Sequence, residues 1–196
     1  MSILAILLSL LLWGLVHSVL ASHAFKAALT RALGQGFMRG YRFFYNVFAF
    51  ITFLPVLYLV RALPDAPLYS VPAPISYAMT LGQGLAAIML VVGVLQTDTF
   101  AFVGLRQFFE QEKPAQLVTR GLYRLVRHPL YTAGLLFLWL SPQVTVNSFT
   151  MYVGATIYIL IGAYFEERKL LREFGAAYAE YKSKTPMLIP WVKKTN

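Results

Sequence analysis

The chain has 196 residues, of which 58% are apolar and 13% charged. Soluble domains carry about 25% charged residues, so a water-covered globule is excluded, and the long apolar runs exclude disorder. With no cysteine there are no disulfides, thiolate zinc sites, iron–sulfur clusters or cysteine nucleophile. A net charge of +9 on so apolar a chain points to cationic loops at a membrane and not to nucleic acid.

A membrane-crossing helix needs about 20 apolar residues. The first such stretch is 3–21, interrupted by His17. Its N-terminal flank has no Lys or Arg, so it reads as a retained span and not a signal peptide. The second is 43–60, where Pro55 is tolerable as a kink. A proline-rich loop, 64–74, leads to the third, 77–95. The fourth, 130–140, is strongly apolar but short. It crosses by tilting or by borrowing 143–147, and forms a tight helical hairpin with the fifth, 149–165. The expected fold is therefore all-α, an integral membrane bundle of five transmembrane helices. Residues 1–196 form one domain, with three spans in 1–96 and the two larger polar stretches in 97–196.

Loop charges fix the orientation. Lys26, Arg31, Arg39 and Arg42 follow span one, and Arg61 alone follows span two. Arg106, Lys113, Arg120, Arg124 and Arg127 follow span three, and none follows span four. Arg168, Lys169, Arg172, Lys182, Lys184, Lys193 and Lys194 follow span five. Sixteen of the seventeen cations thus share one face, which is cytoplasmic by the positive-inside rule. The N-terminus is expected outside and the C-terminus in the cytoplasm, with membrane lipids as neighbours.

Two constellations carry polar chemistry. In 121–131, Arg127 and His128 precede a span headed by Pro129, and proline suits a first helical turn. One reading is a helix start anchored by interfacial Arg, His and Tyr. The other is a ligand pocket, with free backbone N–H groups and Arg127 holding a carboxylate and Tyr123 and Tyr131 facing a base or a sulfonium. In 165–171, Glu166 and Glu167 end the last apolar run. Either the helix continues and Glu166 pairs with Lys169 at i+3, or a glutamate at membrane depth serves a ligand. Phe174, Tyr178 and Tyr181 then recur at helical spacing, a pattern of packing or of an interfacial helix. Pro186, Met187, Leu188, Ile189, Pro190 and Trp191 read as a re-entrant or interfacial tail. His17, His23 and His128 stand apart, so no metal site is expected. His17 beside Ser18 reads as a satisfied core histidine before a catalytic pair.

Arg-His-Pro-Leu-Tyr (127–131), Phe-Glu-Glu-Arg (165–168), Phe-Gly-x-x-Tyr-x-x-Tyr (174–181) and Pro186 occur in that order. The set resembles the isoprenylcysteine carboxyl methyltransferase and phospholipid methyltransferase superfamily. The segments 17–22, 41–46, 98–107 and 186–190 are similar to its bacterial branch, the NnrU-type proteins and methanethiol S-methyltransferases. The resemblance implies S-adenosylmethionine held by the C-terminal half on the cytoplasmic side. It implies contacts from Leu117, Val118, Tyr123, His128, Pro129, Leu130, Tyr131 and Glu166, with Gln107 as a looser candidate; the reading of the residues themselves adds Arg127 and Glu167. No residue is assigned as catalytic, since methyl transfer requires no protein nucleophile. The prenylcysteine enzymes carry a substrate-binding arginine four residues before the matching glutamate. Here that position is Gly162, which favours a small or lipophilic thiol over a carboxylate as acceptor. A nicotinamide-dependent reductase of related fold and a non-catalytic NnrU-like accessory protein are the alternatives.

Overall fold

The computed structural model describes residues 1–109 and 116–190; Lys113, Trp191, Lys193 and Lys194 lie outside them. Helix α1 (Ser2–Ala21) stops at Ser22, whose extended backbone (φ −65°, ψ 147°) turns the chain into α2 (His23–Ala62). Ser22 Oγ accepts from Phe25 N–H at 3.2 Å, so one residue ends a helix and caps the next. Gly34 (φ 79°, ψ 169°) breaks the helical run inside α2, a conformation glycine adopts without a Cβ penalty. The strand β1 (Pro67–Ser70) precedes α3 (Ile75–Leu95), and two short helices follow, α4 (Thr99–Val103) and α5 (Arg106–Phe109). Then come α6 (Leu122–Leu125), α7 (Pro129–Trp139), β2 (Gln143–Thr145), α8 (Val146–Phe174) and α9 (Ala176–Lys184). The two strands pair.

Among the described residues four helices, α1, α2, α3 and α8, are long and apolar enough to cross a membrane. The short fourth stretch of the sequence is α7, with 11 residues. It rises about 16 Å, roughly half of a 30 Å hydrocarbon core. Leu8, Leu12, Phe50, Tyr58, Leu81 and Leu95 lie exposed on the first three long helices, as side chains that face lipid do.

The chain divides into two units. One gathers Met1–Leu68, Thr99–Lys113 and Thr145–Gly154. Within it α1 packs along α2: Trp13 Nε1 donates to Ala49 O (3.1 Å), and Tyr41 Oη donates to Leu20 O (2.8 Å). His17 Nε2 lies 2.6 Å from Tyr45 Oη. Gly104 (φ 94°) lies against the α2 backbone, where a Cβ would meet Phe43 N at 2.4 Å. Asn147 is buried. Its Nδ2 donates to Leu63 O (3.2 Å) beyond the end of α2, and its N–H donates to Asp65 Oδ1 (2.9 Å).

The other unit gathers Tyr69–Asp98, Pro114–Val144 and Ala155–Asn196. Here α3 and α7 run antiparallel: Gly93 lies against Leu130 and Gly82 against Leu140. Gln83 Nε2 donates to Phe137 O (2.8 Å) and Ser141 Oγ (3.1 Å). Trp139 Nε1 donates to Thr156 Oγ1 (3.0 Å), tying α7 to α8.

Candidate cofactor site

The second unit brings the two constellations together at the head of α7. Gly121 (φ 63°) approaches Gln96 so closely that a Cβ would meet its side-chain amide at 2.4 Å. Gln96 Oε1 then accepts from Leu122 N–H (2.8 Å), which fixes the start of α6 against the end of α3. Val126 is extended and ends α6. Pro129 opens α7 at its first position, where the missing N–H costs nothing.

Between these helices, Arg127 and His128 run beside the chain's C-terminal segment. Arg127 N–H donates to Pro186 O (2.9 Å) and His128 N–H to Met187 O (3.2 Å). Thr132 Oγ1 donates to Leu188 O (2.8 Å). The proline-flanked tail is thus strapped across the head of α7 by two main-chain bonds and one side-chain bond.

The two glutamates sit on α8 about 30 Å along its axis from Val146, the thickness of a hydrocarbon core. The helix continues past them to Phe174. Consecutive helical residues point about 100° apart, and the two carboxylates meet different surroundings. The Glu167 side chain is only 8% exposed. Its Oε1 accepts from Arg127 Nε (2.7 Å) and its Oε2 pairs with Lys182 Nζ (2.7 Å). Arg127 also donates to Lys182 O (3.1 Å) and to Thr185 O. The Glu166 side chain is 44% exposed, and its Oε2 accepts from Tyr131 Oη (2.8 Å). Glu166 thus bonds Tyr131, and the cations gather on Glu167, although spacing along α8 offers a cation only to Glu166. Helical spacing sees partners on one helix only, whereas these come from α7 and α9.

His128 is buried between the two carboxylates, with Nδ1 3.7 Å from Glu166 Oε2 and Nε2 3.5 Å from Glu167 Oε1. Its ring stacks on Tyr131 at 5.3 Å between centroids. Burial pulls the imidazole pKa below its usual value, against the opposing pull of the glutamates. Burial, then the Glu166 charge, raises that of Tyr123. Tyr178, buried in α9, is pushed up to about 12 by burial and the Glu167 charge. Its hydroxyl has no hydrogen-bond partner of standard geometry.

Tyr181 Oη donates to Tyr123 O. The stripe of Phe174, Tyr178 and Tyr181 is not one helix, because Gly175 (φ 54°) separates α8 from α9.

Of the other candidates, Pro129 is fully buried, and Leu130 lies against Gly93. Leu117 and Val118 are half-buried in the irregular segment that leads to Gly121. Gln107 belongs to the first unit, where its Nε2 donates to Ala101 O (3.3 Å) and its Oε1 is buried without a hydrogen-bond partner. Lys182, Thr185 and Thr132, which complete the cluster, were not singled out in the motif reading. Among the described residues no group of three His, Cys, Asp or Glu is placed to hold a metal ion.

The family model described as NnrU protein matches residues 5–148. Methanethiol S-methyltransferase 2 of Bradyrhizobium diazoefficiens is 31% identical over 95% of this chain and 73% of its own length. The methanethiol S-methyltransferase of Mycobacterium tuberculosis is 30% identical over 95% of this chain and 79% of its own length. Protein-S-isoprenylcysteine O-methyltransferase B of Arabidopsis thaliana is 27% identical over 53% of this chain and 57% of its own length. No solved structure matches.

Proposed function

We propose, from the premise that this chain belongs to the NnrU family, that it is an integral-membrane methyltransferase that uses S-adenosylmethionine and acts on a small or lipophilic thiol. The observation that carries this reading is the half-exposed Glu166 carboxylate, hydrogen-bonded to Tyr131 at the head of α7. The names of the relatives that align over 95% of the chain support it.

The residues present fit the methyl donor. S-adenosylmethionine, when bound, supplies an electrophilic methyl on a sulfonium. Glu166 accepts hydrogen bonds from its amine or ribose hydroxyls, and Tyr131 orients that carboxylate. The head of α7 is a helix N-terminus, which favours an anion such as its carboxylate. Tyr123 and Tyr131 offer ring faces to the base or the sulfonium. Leu117, Val118, Pro129, Leu130 and the His128 ring line the pocket and exclude water. Arg127 and Glu167 belong to the site through the strap they hold.

Positioning supplies most of the catalysis, because the thiol sulfur must only be held in line with the methyl. The thiol would have to lose its proton for its sulfur to attack, and no residue of this chain is assigned as its base.

We also propose five crossings of one domain, with the N-terminus outside. Val71 N–H donates to Pro142 O (2.8 Å), so the chain beyond α7 returns to the loop before α3. Antiparallel packing of α7 on α3 supports the same path. The 16-to-1 division of cations supports the orientation.

Calorimetric titration of the purified protein with S-adenosylmethionine and, separately, NADPH tests the reading. Saturable binding of the first alone is expected. Binding of NADPH alone would replace it with the reductase reading, and binding of neither with the accessory one.

A further inference from the structure

Two carboxylates that adjoin in sequence do different work here. Glu167 uses both oxygens on cations, Arg127 through Oε1 and Lys182 through Oε2. Arg127 in turn spends its guanidinium on Glu167 and on the carbonyls of Lys182 and Thr185. Those two carbonyls lie at the end of α9 and at the residue that starts the strap. Three further bonds then lay the strap on α7, from Arg127 N–H, His128 N–H and Thr132 Oγ1 to the carbonyls of 186, 187 and 188. Each of these residues lies in the second unit.

A buried carboxylate is stable only when paired and hydrogen-bonded, and the planar guanidinium fork offers several donors at fixed angles. Arg127 therefore joins α7, α8 and the end of α9 at one point. With its donors so occupied, it is not available to a ligand carboxylate. His128 is held by its own N–H to Met187 and by its ring between the two glutamates.

We infer that Glu167 is a positioning residue: with Arg127 and Lys182 it clamps the segment 185–188 onto the head of α7 and so holds His128, Tyr131 and Glu166 in binding register. The clamp is a property of the folded chain. Its consequence for the methyl donor rests on the reading given under Proposed function.

Hydrogen exchange separates the two. Backbone amides protected by such bonds exchange through local opening. In the full chain in lipid nanodiscs without ligand, Glu167→Gln should raise exchange at the Arg127 and His128 amides about tenfold. Amides in the middle of α3 should not change. Lys182→Gln, which removes one of the two cations at a partly exposed position, should raise the same amides less. Lys184→Ala, which breaks only the exposed pair with Glu180, should leave them unchanged. Saturating S-adenosylmethionine should restore protection in Glu167→Gln, with affinity lowered about tenfold. Binding to the native form suppresses opening whatever its cause, so the lowered affinity, and not the restored protection, reports the positioning role.

Wild-type exchange at Arg127 and His128 in Glu167→Gln, or a rise spread equally through α3 and α7, would overturn the clamp. If wild type binds no S-adenosylmethionine, the methyl-donor reading falls while the ligand-free exchange still decides the clamp. A variant that exchanges faster yet binds with wild-type affinity would overturn the positioning role.

Discussion

Tyr131 Oη donates to Glu166 Oε2 at 2.8 Å, joining the first turn of α7 to α8. The bond reaches across the point where the apolar part of α8 ends, and it leaves the carboxylate half open. A phenol at this distance holds a carboxylate in one rotamer without neutralising it. Glu166 therefore keeps an open side for a ligand, while Glu167 is enclosed by Arg127 and Lys182.

Glu166→Gln is expected to weaken S-adenosylmethionine binding with the fold intact. The loss of a charged hydrogen bond costs about 1.5–3 kcal/mol, tenfold or more in dissociation constant. Tyr131→Phe should weaken binding less, because it removes the orienting bond and leaves the charge. Calorimetry on both variants checks the order. Equal affinity in wild type and Glu166→Gln would remove Glu166 from the site.

Burial lowers the His128 pKa in the folded chain. The unfolded chain then binds the more protons, so stability rises with pH across this titration. The contribution is complete above the unfolded value of 6.5. It declines as pH falls below that value, toward the lower folded one. Thermal unfolding in detergent from pH 7.5 to 5 should show the decline, with at most about 1.4 kcal/mol per pH unit from one group. His128→Asn should flatten the slope in this range. An unchanged slope would mean that other groups carry it.

The sequence made the long helices legible, because a run of about 20 apolar residues has few other solutions. It also located both halves of the candidate site, since a proline-headed helix and paired acids in an apolar chain are costly and local signals. The partners were not legible. Lys182 and Thr185 reach Glu167 and Arg127 only because Gly175 (φ 54°) separates α8 from α9. No periodicity crosses such a break. The contrast between Glu166 and Glu167 was not legible for the same reason: it is set by α9, by α7 and by Arg127 just before it, not by α8.

Tyr178 and Tyr181 lie on one short helix and should respond oppositely to removal of the hydroxyl. Tyr178 buries an oxygen that has no hydrogen-bond partner of standard geometry, so Tyr178→Phe should be neutral or stabilising. Tyr181 donates to Tyr123 O, so Tyr181→Phe should cost about 1 kcal/mol. Chemical unfolding of the two variants measures the difference. A loss in Tyr178→Phe as large as that in Tyr181→Phe would mean that its hydroxyl is paired.

The topology predicts opposite faces for Asp65, beside the turn capped by Asn147, and Lys184, at the end of α9. Single cysteines introduced at each position into this cysteine-free chain should label with an impermeant maleimide from opposite sides of sealed vesicles. Labelling of both from one side would reduce the crossings to an even number.

The acceptor is expected to be a thiol and not a prenylcysteine carboxylate. Stripping water from a carboxylate costs several kcal/mol unless a cation receives it. Position 162, where the prenylcysteine enzymes hold that cation, is glycine, and a Cβ there would meet nothing within 4 Å. The neighbouring cations are engaged: Arg168 donates to Tyr164 Oη (3.5 Å) on its own helix, and Arg127 is held in the Glu167 clamp. A thiol makes no such demand before it ionises, and its thiolate is a soft nucleophile suited to a sulfonium methyl. Radiolabelled methyl transfer to methanethiol, longer alkyl thiols and a farnesylcysteine analogue, offered side by side, should label the thiols. Gly162→Arg should lower thiol turnover by filling the open space and raise labelling of the carboxylate analogue. Efficient methylation of that carboxylate by wild type, with the thiols inert, would overturn the assignment and send the search for its cation to Arg120 and Arg124.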